Sequence, residues 1–191
     1  MLNKLKRFIG SNEPVQQKSE EIEKQQYIQY AQKLEQSLSR LEAGVHESDD
    51  PSWIKQSVMK TALDFYKGDW IGFLEVDLEL GLWTPTHWYN PSPNDKTLDL
   101  LQEFESAEFL HRWVTAMHDN TAIVVPDMEE VREQFPGEYA VYQRLMAKSV
   151  LVVPVKPRPM GFLVIRNPRR YLTRSSMLQL LAFVVLACVN E

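Results

Sequence analysis

Few side chains in this sequence have the type and spacing that chemistry needs, and each group that qualifies has a plainer use. Glu75, Asp77 and Glu79 recur at every second position, so on a strand their carboxylates would share one face and could hold a hard cation through oxygen. Carboxylates spaced this way are more often a solvated face or partners of basic residues, and no metal site is assigned to them. His87, His111 and His118 lack the short, regular separations that gather imidazoles around a metal. No Ser/His/Asp or Cys/His arrangement stands out from background, so no catalytic residue is assigned. Cys188 is the single cysteine. That excludes an internal disulfide and any Cys-x-x-Cys redox or zinc pattern, and in its apolar run Cys188 reads as a small packed hydrophobe.

Charge is unevenly spread. From Tyr139 to Asn190 there is no Asp or Glu, yet Arg144, Lys148, Lys156, Arg158, Arg166, Arg169, Arg170 and Arg174 lie there. A one-sign stretch can grip an anionic ligand or an acidic partner. The whole chain carries a net charge of −5, so the acidic first half is the expected source of counter-charge and nucleic-acid binding is not expected. A length of 191 residues suits one domain with an appendage and a real core. No run reaches the roughly 18 to 20 apolar residues of a membrane span; the longest, Met177 to Val189, falls short and contains Gln179. Met1 to Ile9 mixes basic and apolar residues but is too short for a signal peptide. Residues 1–14 are therefore expected to be a flexible tail, and a cytoplasmic location is expected.

The elements that must position any site follow in order. From Val15 to about Val45 the chain is rich in Gln, Glu, Lys and Ser, with Tyr27, Ala31, Leu34, Leu38, Leu41 and Val45 at alternating steps of four and three, the spacing of a coiled-coil seam. So thin an apolar stripe suits pairing with a second copy, or a surface helix. Asp50-Pro51 starts the next helix, with Asp as N-cap and Pro at the first helical position, and Gly68 is expected to stop it. Trp70 to Leu80 alternates as a strand, Gly81 turns the chain, and Leu82 to Tyr89 forms an aromatic-rich second strand. After the turn formers of 90–95, Thr97 to His118 reads as an amphipathic helix facing inward through Leu101, Phe104, Ala107, Leu110, Val114 and Met117, with Asn120 ending it. Thr121 to Val125 is a short strand, Asp127 and Glu130 signal a short capped helix, Pro136-Gly137 is expected to break it, and Tyr139 to Met146 to form one or two further helical turns.

Two runs, Lys148 to Val155 and Gly161 to Asn167, stay apolar and β-branched at nearly every position and are joined by a short proline-rich, basic link. This predicts an antiparallel pair buried on both faces, because a strand wet on one side would alternate. Helices must then cover each face of the sheet. The final helix, from Ser175 or Ser176, is apolar almost all round to Val189, which predicts burial between the sheet and either the first domain helix or a second subunit.

In this order, helix, strand, strand, helix, strand, helices, strand, strand, helix, the chain from about Pro51 to Val189 resembles a GAF domain. The resemblance is carried by the aromatic hairpin around Gly81, the run Ser149-Val150-Leu151-Val152-Val153-Pro154-Val155, the strand Gly161-Phe162-Leu163-Val164-Ile165, and the closing Leu178-Gln179-Leu180-Leu181-Ala182-Phe183. It implies an α+β, PAS/profilin-like fold: a central antiparallel sheet of five to six strands with helices on both faces. Here that sheet follows a long N-terminal helix over 15–48, with the domain itself over 49–191. It further implies terminal helices that commonly dimerise on one face and a ligand pocket on the other. Members bind cyclic nucleotides, bilins, haem, amino acids or metals, and many have lost ligand binding. The Asn-Lys-x-Phe-x-x-x-Asp-Glu motif of cyclic-nucleotide binders is absent, Cys188 sits in the last helix rather than near the pocket where bilins attach, and the reductase branch needs more than one cysteine.

The pocket that the resemblance implies should have apolar and aromatic walls. Its expected lining is Trp83, Trp88, Tyr89, Trp113, Tyr139 and Tyr142, with Arg144 nearby; core packing is the competing use of each aromatic. The expected function is a non-enzymatic sensory or regulatory domain, homodimeric, binding a small molecule of open identity and shifting its flanking helices toward an output domain or protein partner. The alternative is a ligand-free dimerisation or scaffold protein with a filled pocket.

Overall fold

Valine, leucine, isoleucine and phenylalanine leave the two organising runs no wet face, and every residue of the strands within them is buried. They form β4 (Val150–Val155) and β5 (Gly161–Arg166), paired antiparallel from Val150 opposite Arg166 to Val155 opposite Gly161. The computed structural model describes residues 13–46, 50–77, 82–92, 111–156 and 160–189. Within these lie β1 (Trp70–Asp77), β2 (Leu82–Tyr89) and β3 (Ile123–Val125). The five strands make one antiparallel sheet in the order β2-β1-β5-β4-β3, with β5 at its centre. The helices are α1 (Glu13–His46), α2 (Pro51–Tyr66), α3 (His111–Asp119), α4 (Pro136–Arg144) and α5 (Ser176–Val189), with a 3-10 turn over Met128–Val131. The architecture is α+β, as the sequence predicts.

The chain divides into two units, Met1–Ser39 and Arg40–Glu191. The described part of the first is helical and carries Ile22, Tyr27 and Ile28 exposed. The second begins with the last turns of α1, where Gly44 lies under the Trp53 ring.

One face of the sheet is covered by α2 and α5, which pack on each other and on β1, β2 and β4. Asp50 caps α2 by accepting the Ser52 N–H at 3.0 Å. The helix ends one residue earlier than its glycine suggests: Lys67 takes the left-handed conformation (φ 54). Gly68 is needed for proximity instead, since a Cβ there would lie 2.7 Å from Ile165 Cγ2 and 2.9 Å from the Arg166 carbonyl. Tyr66 ties the two helices together. Its hydroxyl donates to the Arg174 carbonyl at 2.7 Å and accepts the Leu178 N–H at 3.2 Å, and its carbonyl accepts from Arg169 and Arg170. Met177, Leu178, Leu181 and Ala182 of α5 are buried, but Leu180 and Phe183 are exposed, so this helix is not enclosed on all sides.

The opposite face is covered over β3 and β4 by α3, the 3-10 turn and α4. Two local readings of the sequence change here and one is refined. Trp113, Ala116 and Met117 of α3 point inward and Val114 outward, because the large indole takes the interior; Leu101, Phe104, Ala107 and Leu110 lie outside the described residues. Asp127 caps the Glu129 N–H at 3.0 Å, and the short helix it starts is of the 3-10 type. Pro136 begins α4 instead of breaking a helix, since at the first helical position a missing N–H costs nothing.

Two further features fix the sheet. Asn167, in the left-handed conformation, accepts the Lys148 and Ser149 N–H groups through Oδ1 and donates to Asp69 Oδ2, joining β4, β5 and the start of β1. The Ser149 carbonyl accepts the Asn167 N–H at 2.8 Å, which sets odd-numbered residues of this strand to bond β5 and even-numbered ones to bond β3. β3 reaches only Val150 to Val152, so the missing N–H of Pro154 falls on the open side.

Candidate functional site

The aromatic face is built by register. Leu74 pairs with Phe162 and Val76 with Trp83, placing both rings on the face that α3 and α4 cover. Trp83 stacks on Phe162 with ring centres 5.3 Å apart and planes 8° apart. Trp113 reaches across from α3 and meets both edge-on, at 5.6 Å and 5.0 Å. Tyr142 lies 6.4 Å from Trp113. All four rings are buried, an arrangement that aromatic quadrupoles favour.

Beside these rings is a buried carboxylate. Glu138, 1% exposed, sits in the first turn of α4, whose N-cap Phe135 gives no side-chain cap. The helix N-terminus favours a negative charge there. Glu138 accepts Arg112 Nε at 3.0 Å and Arg112 Nη2 at 2.5 Å, Trp113 Nε1 at 2.9 Å, and the Tyr142 hydroxyl, one helical turn along. Burial, reinforced by the Glu138 charge and its hydrogen bond, pushes the Tyr142 phenol well above the ordinary tyrosine range. Burial alone would lower the Arg112 pKa, but the hydrogen bond and charge of Glu138 outweigh it and raise the guanidinium. The same guanidinium lies 4.9 Å above the Phe135 ring. This network clamps α3 to α4.

Two polar atoms on the face have no such answer. Trp70 Nε1 and Trp83 Nε1 are buried without a hydrogen-bond partner among the described residues. Trp70 belongs to the same cluster as Trp83, and its indole lies flat over Gly72, where any Cβ would strike the ring. Each is an indole donor in a dry, aromatic environment.

Of the residues expected to line a pocket, Trp83, Trp113 and Tyr142 come together. Trp88 joins their side of the sheet by a route the alternation hides. The β1–β2 pairing steps from Phe73 opposite His87 to Leu74 opposite Pro85, so Thr86 is an extra residue and Trp88 falls opposite Gly72, half-exposed. Tyr89, opposite Ile71, falls on the α2/α5 side. Tyr139 flanks the cluster, donating to Glu129 at 2.9 Å, with the Arg132 guanidinium 5.5 Å from its ring. Arg144 is exposed in the last turn of α4. Sequence reasoning passed over Arg112, Glu138, Trp70 and Phe162. The spacing of Glu138 and Tyr142 by four, just after a helix-starting proline, was the available signal.

The other candidates stay dispersed. Glu75 and Asp77 share the β1 face opposite Trp83, Glu79 lies outside the described residues, and among the described residues no three His, Cys, Asp or Glu side chains gather as metal ligands. His87 lies 3.4 Å from Lys55 Nζ; burial and then the Lys55 charge lower its pKa. Arg166, from the basic stretch, is buried and paired with Asp69 at 2.6 Å. A separate open groove of about 530 Å³ runs beside Pro154 and Val155, bounded by Asn120, Gln179 and Phe183. None of the expected pocket residues lines it.

No protein-family model matches the sequence, and no curated protein matches it. Solved structures do match. The chain is similar to the phycoerythrobilin-bound GAF domain of a cyanobacterial phytochrome at 11% identity and a TM-score of 0.60, covering 82% of this chain and 94% of that one. It is similar to the GAF domain of an Acinetobacter phosphoenolpyruvate-protein phosphotransferase at 15% identity and a TM-score of 0.54, covering 82% and 93%. It is also similar to the free methionine-R-sulfoxide reductase of Neisseria meningitidis, solved with its substrate, at 16% identity and a TM-score of 0.53, covering 82% and 88%. The fold is that of a GAF domain. Among the described residues no helix is long and apolar enough to cross a membrane.

Proposed function

We propose that this chain is a non-enzymatic sensory or regulatory domain of the cytoplasm that binds a small molecule on the aromatic face of its sheet and acts as a homodimer. The observation that carries the ligand is the pair of buried indole donors, Trp70 Nε1 and Trp83 Nε1. An unmet donor in a dry interior costs about 1–3 kcal/mol, and a bound acceptor removes that cost. The GAF-type neighbours supply precedent, since one of them carries phycoerythrobilin. Occupancy would shift the packing of α3 and α4, which Glu138 holds together, and pass to the flanking helices and on to an output domain or protein partner. Exposed Tyr27 on α1 and exposed Leu180 and Phe183 on α5 offer apolar surface for a second copy. Thermal-shift and native mass-spectrometric screening of small molecules tests the ligand, and light scattering of the purified chain tests the dimer.

The scaffold reading has its own support in the tight stack of Trp83 on Phe162 under Trp113, which uses the rings as core. It predicts no hits in either screen.

A further inference from the structure

We propose that one end of the domain is a docking surface for an acidic, partly apolar segment of another protein, with Lys148, Arg169 and Arg170 as its cationic contacts and Met146 as its apolar one. This goes beyond the ligand reading and does not depend on it. The fold sorts the basic stretch of the chain's second half. β4 and β5 run antiparallel, so the start of one meets the end of the other, and Lys148 and Ser149 give their N–H groups to Asn167 Oδ1 at 2.6 and 3.2 Å. Just beyond, the Arg169 and Arg170 N–H groups both reach the Tyr66 carbonyl at 3.0 Å, beside Lys67. On the other face of the sheet, Arg166 ties in the turn after α4 by donating Nη1 to the Leu145 carbonyl at 3.0 Å. Lys67, Arg144, Lys148, Arg169 and Arg170 therefore stand around one end of the sheet, and all five are exposed. Two acids lie among them. Asp69 is held by Arg166 and Asn167, and exposed Asp64 is 3.8 Å from Lys67, so Lys148, Arg169 and Arg170 have no ion pair among the described residues.

These groups are held in place before any partner arrives. The loop that carries Arg169 and Arg170 is fixed by its two bonds to Tyr66, by the Arg174 N–H on the Tyr171 carbonyl at 2.8 Å, and by the Tyr171 ring against Phe65, centres 4.9 Å apart. Order already present in the free protein is not lost again on binding. Met146 follows the last residue of α4 in the left-handed conformation (φ 51), where glycine is the usual choice, yet its side chain is 54% exposed. A β-carbon there is strained, and the strain presents an apolar group to solvent between Arg144 and Lys148. Guanidinium forks pair with carboxylates, and an apolar residue flanked by cations matches an acidic segment that also carries a leucine or phenylalanine. A membrane or a nucleic-acid duplex presents an extended anionic surface, which a chain of net charge −5 repels outside the patch. A short segment meets the patch alone, since exposed charges more than about 8 Å away are screened at physiological salt.

The test is calorimetry on the whole chain with a short peptide repeating Glu-Asp-Leu, its Ser-for-Leu and Lys-for-Glu counterparts, vesicles of phosphatidylserine and phosphatidylcholine in equal parts, and a short DNA duplex. Saturable binding of the Glu-Asp-Leu peptide is expected, weakening between about 50 and 300 mM salt, with the Lys-for-Glu peptide silent. The double variant Arg169→Glu/Arg170→Glu should weaken that binding by roughly tenfold or more and keep the melting temperature, because both side chains are exposed. Met146→Gly should weaken it by about threefold and raise the melting temperature, a combination that a purely structural methionine would not give. Lys156→Glu, at the opposite end of β4, should leave binding as it is. An equal loss in Lys156→Glu would show attraction by charge at large and overturn the site. Tighter binding of the vesicles or the duplex than of the peptide overturns the partner class. Equal binding of the Ser-for-Leu peptide overturns the role of Met146, and silence of every probe overturns the whole proposal.

Discussion

The two faces of the sheet are built from the same strands and do different work. On the α2/α5 side, Ile71, Phe73, Leu151, Val153, Leu163 and Ile165 are buried against helices, and the prominent polar group, the Tyr66 hydroxyl, both donates and accepts. On the α3/α4 side the same strands present rings and, among the described residues, two donors without acceptors, under a half-buried ion pair that α3 and α4 supply. Among the described residues the first arrangement has no buried side-chain polar atom left unpaired. The second keeps unpaired donors in its interior, each at a cost to stability. A fold that loads its close packing on one side can carry unmet chemistry on the other.

Four changes test that division. The largest effect is expected from Glu138→Ala, which leaves Arg112, Trp113 and Tyr142 facing an empty site; loss of one partner of a buried pair costs about 3–5 kcal/mol, measurable by urea unfolding. Such a loss would also release α3 from α4, so any ligand binding should fall with it. Leu163→Ala, at the centre of β5 on the packed side, should cost about 2–4 kcal/mol through its cavity while sparing ligand binding. If binding falls equally in both variants, the two faces are not separable. Tyr66→Phe removes both hydrogen bonds of that hydroxyl and strands the Leu178 N–H and the Arg174 carbonyl, for about 1–3 kcal/mol by the same measurement.

The smallest effect is a matter of pH. Because burial and Lys55 lower the His87 pKa, the unfolded chain takes up a proton there more readily than the folded one. Stability should be level above the unfolded histidine value of about 6.5 and should fall as the pH drops below it. His87→Asn should flatten that acid slope in unfolding curves, leaving the neutral-pH stability of the aromatic face unaltered.

The organising pair was legible because burial on both sides leaves a plain mark, an apolar residue at almost every position, and β4 and β5 lie where that mark puts them. The order of elements was legible for the same reason, each being bounded by turn formers or caps such as Asp50 and Asn120. The aromatic face was legible only in part. Thr86, the extra residue in β2, reverses the alternation and carries Trp88 to one side and Tyr89 to the other, and the neighbouring Pro85 is the one mark of an irregular edge strand in that run. Glu138 was passed over because a glutamate after a proline reads as a surface residue complementing a helix end; only the arrival of Arg112 and Trp113 from α3 makes it a core residue. Long-range meetings of this kind leave no period in the chain. The inward turn of Trp113 at the expense of Val114 is a similar case, where ring size outweighed a regular spacing.

Pro154 has a consequence for how the domain behaves in a crowded solution. Beyond the end of β3, the outer side of β4 would be a template for any extended chain, and templates of that sort seed fibrils. With a ring nitrogen where the next donor should be, an arriving strand finds its ladder broken after the last rung and cannot grow along the edge. The proline thus blunts the stretch of β4 that β3 leaves uncovered, and replacing it with valine would restore a donor there.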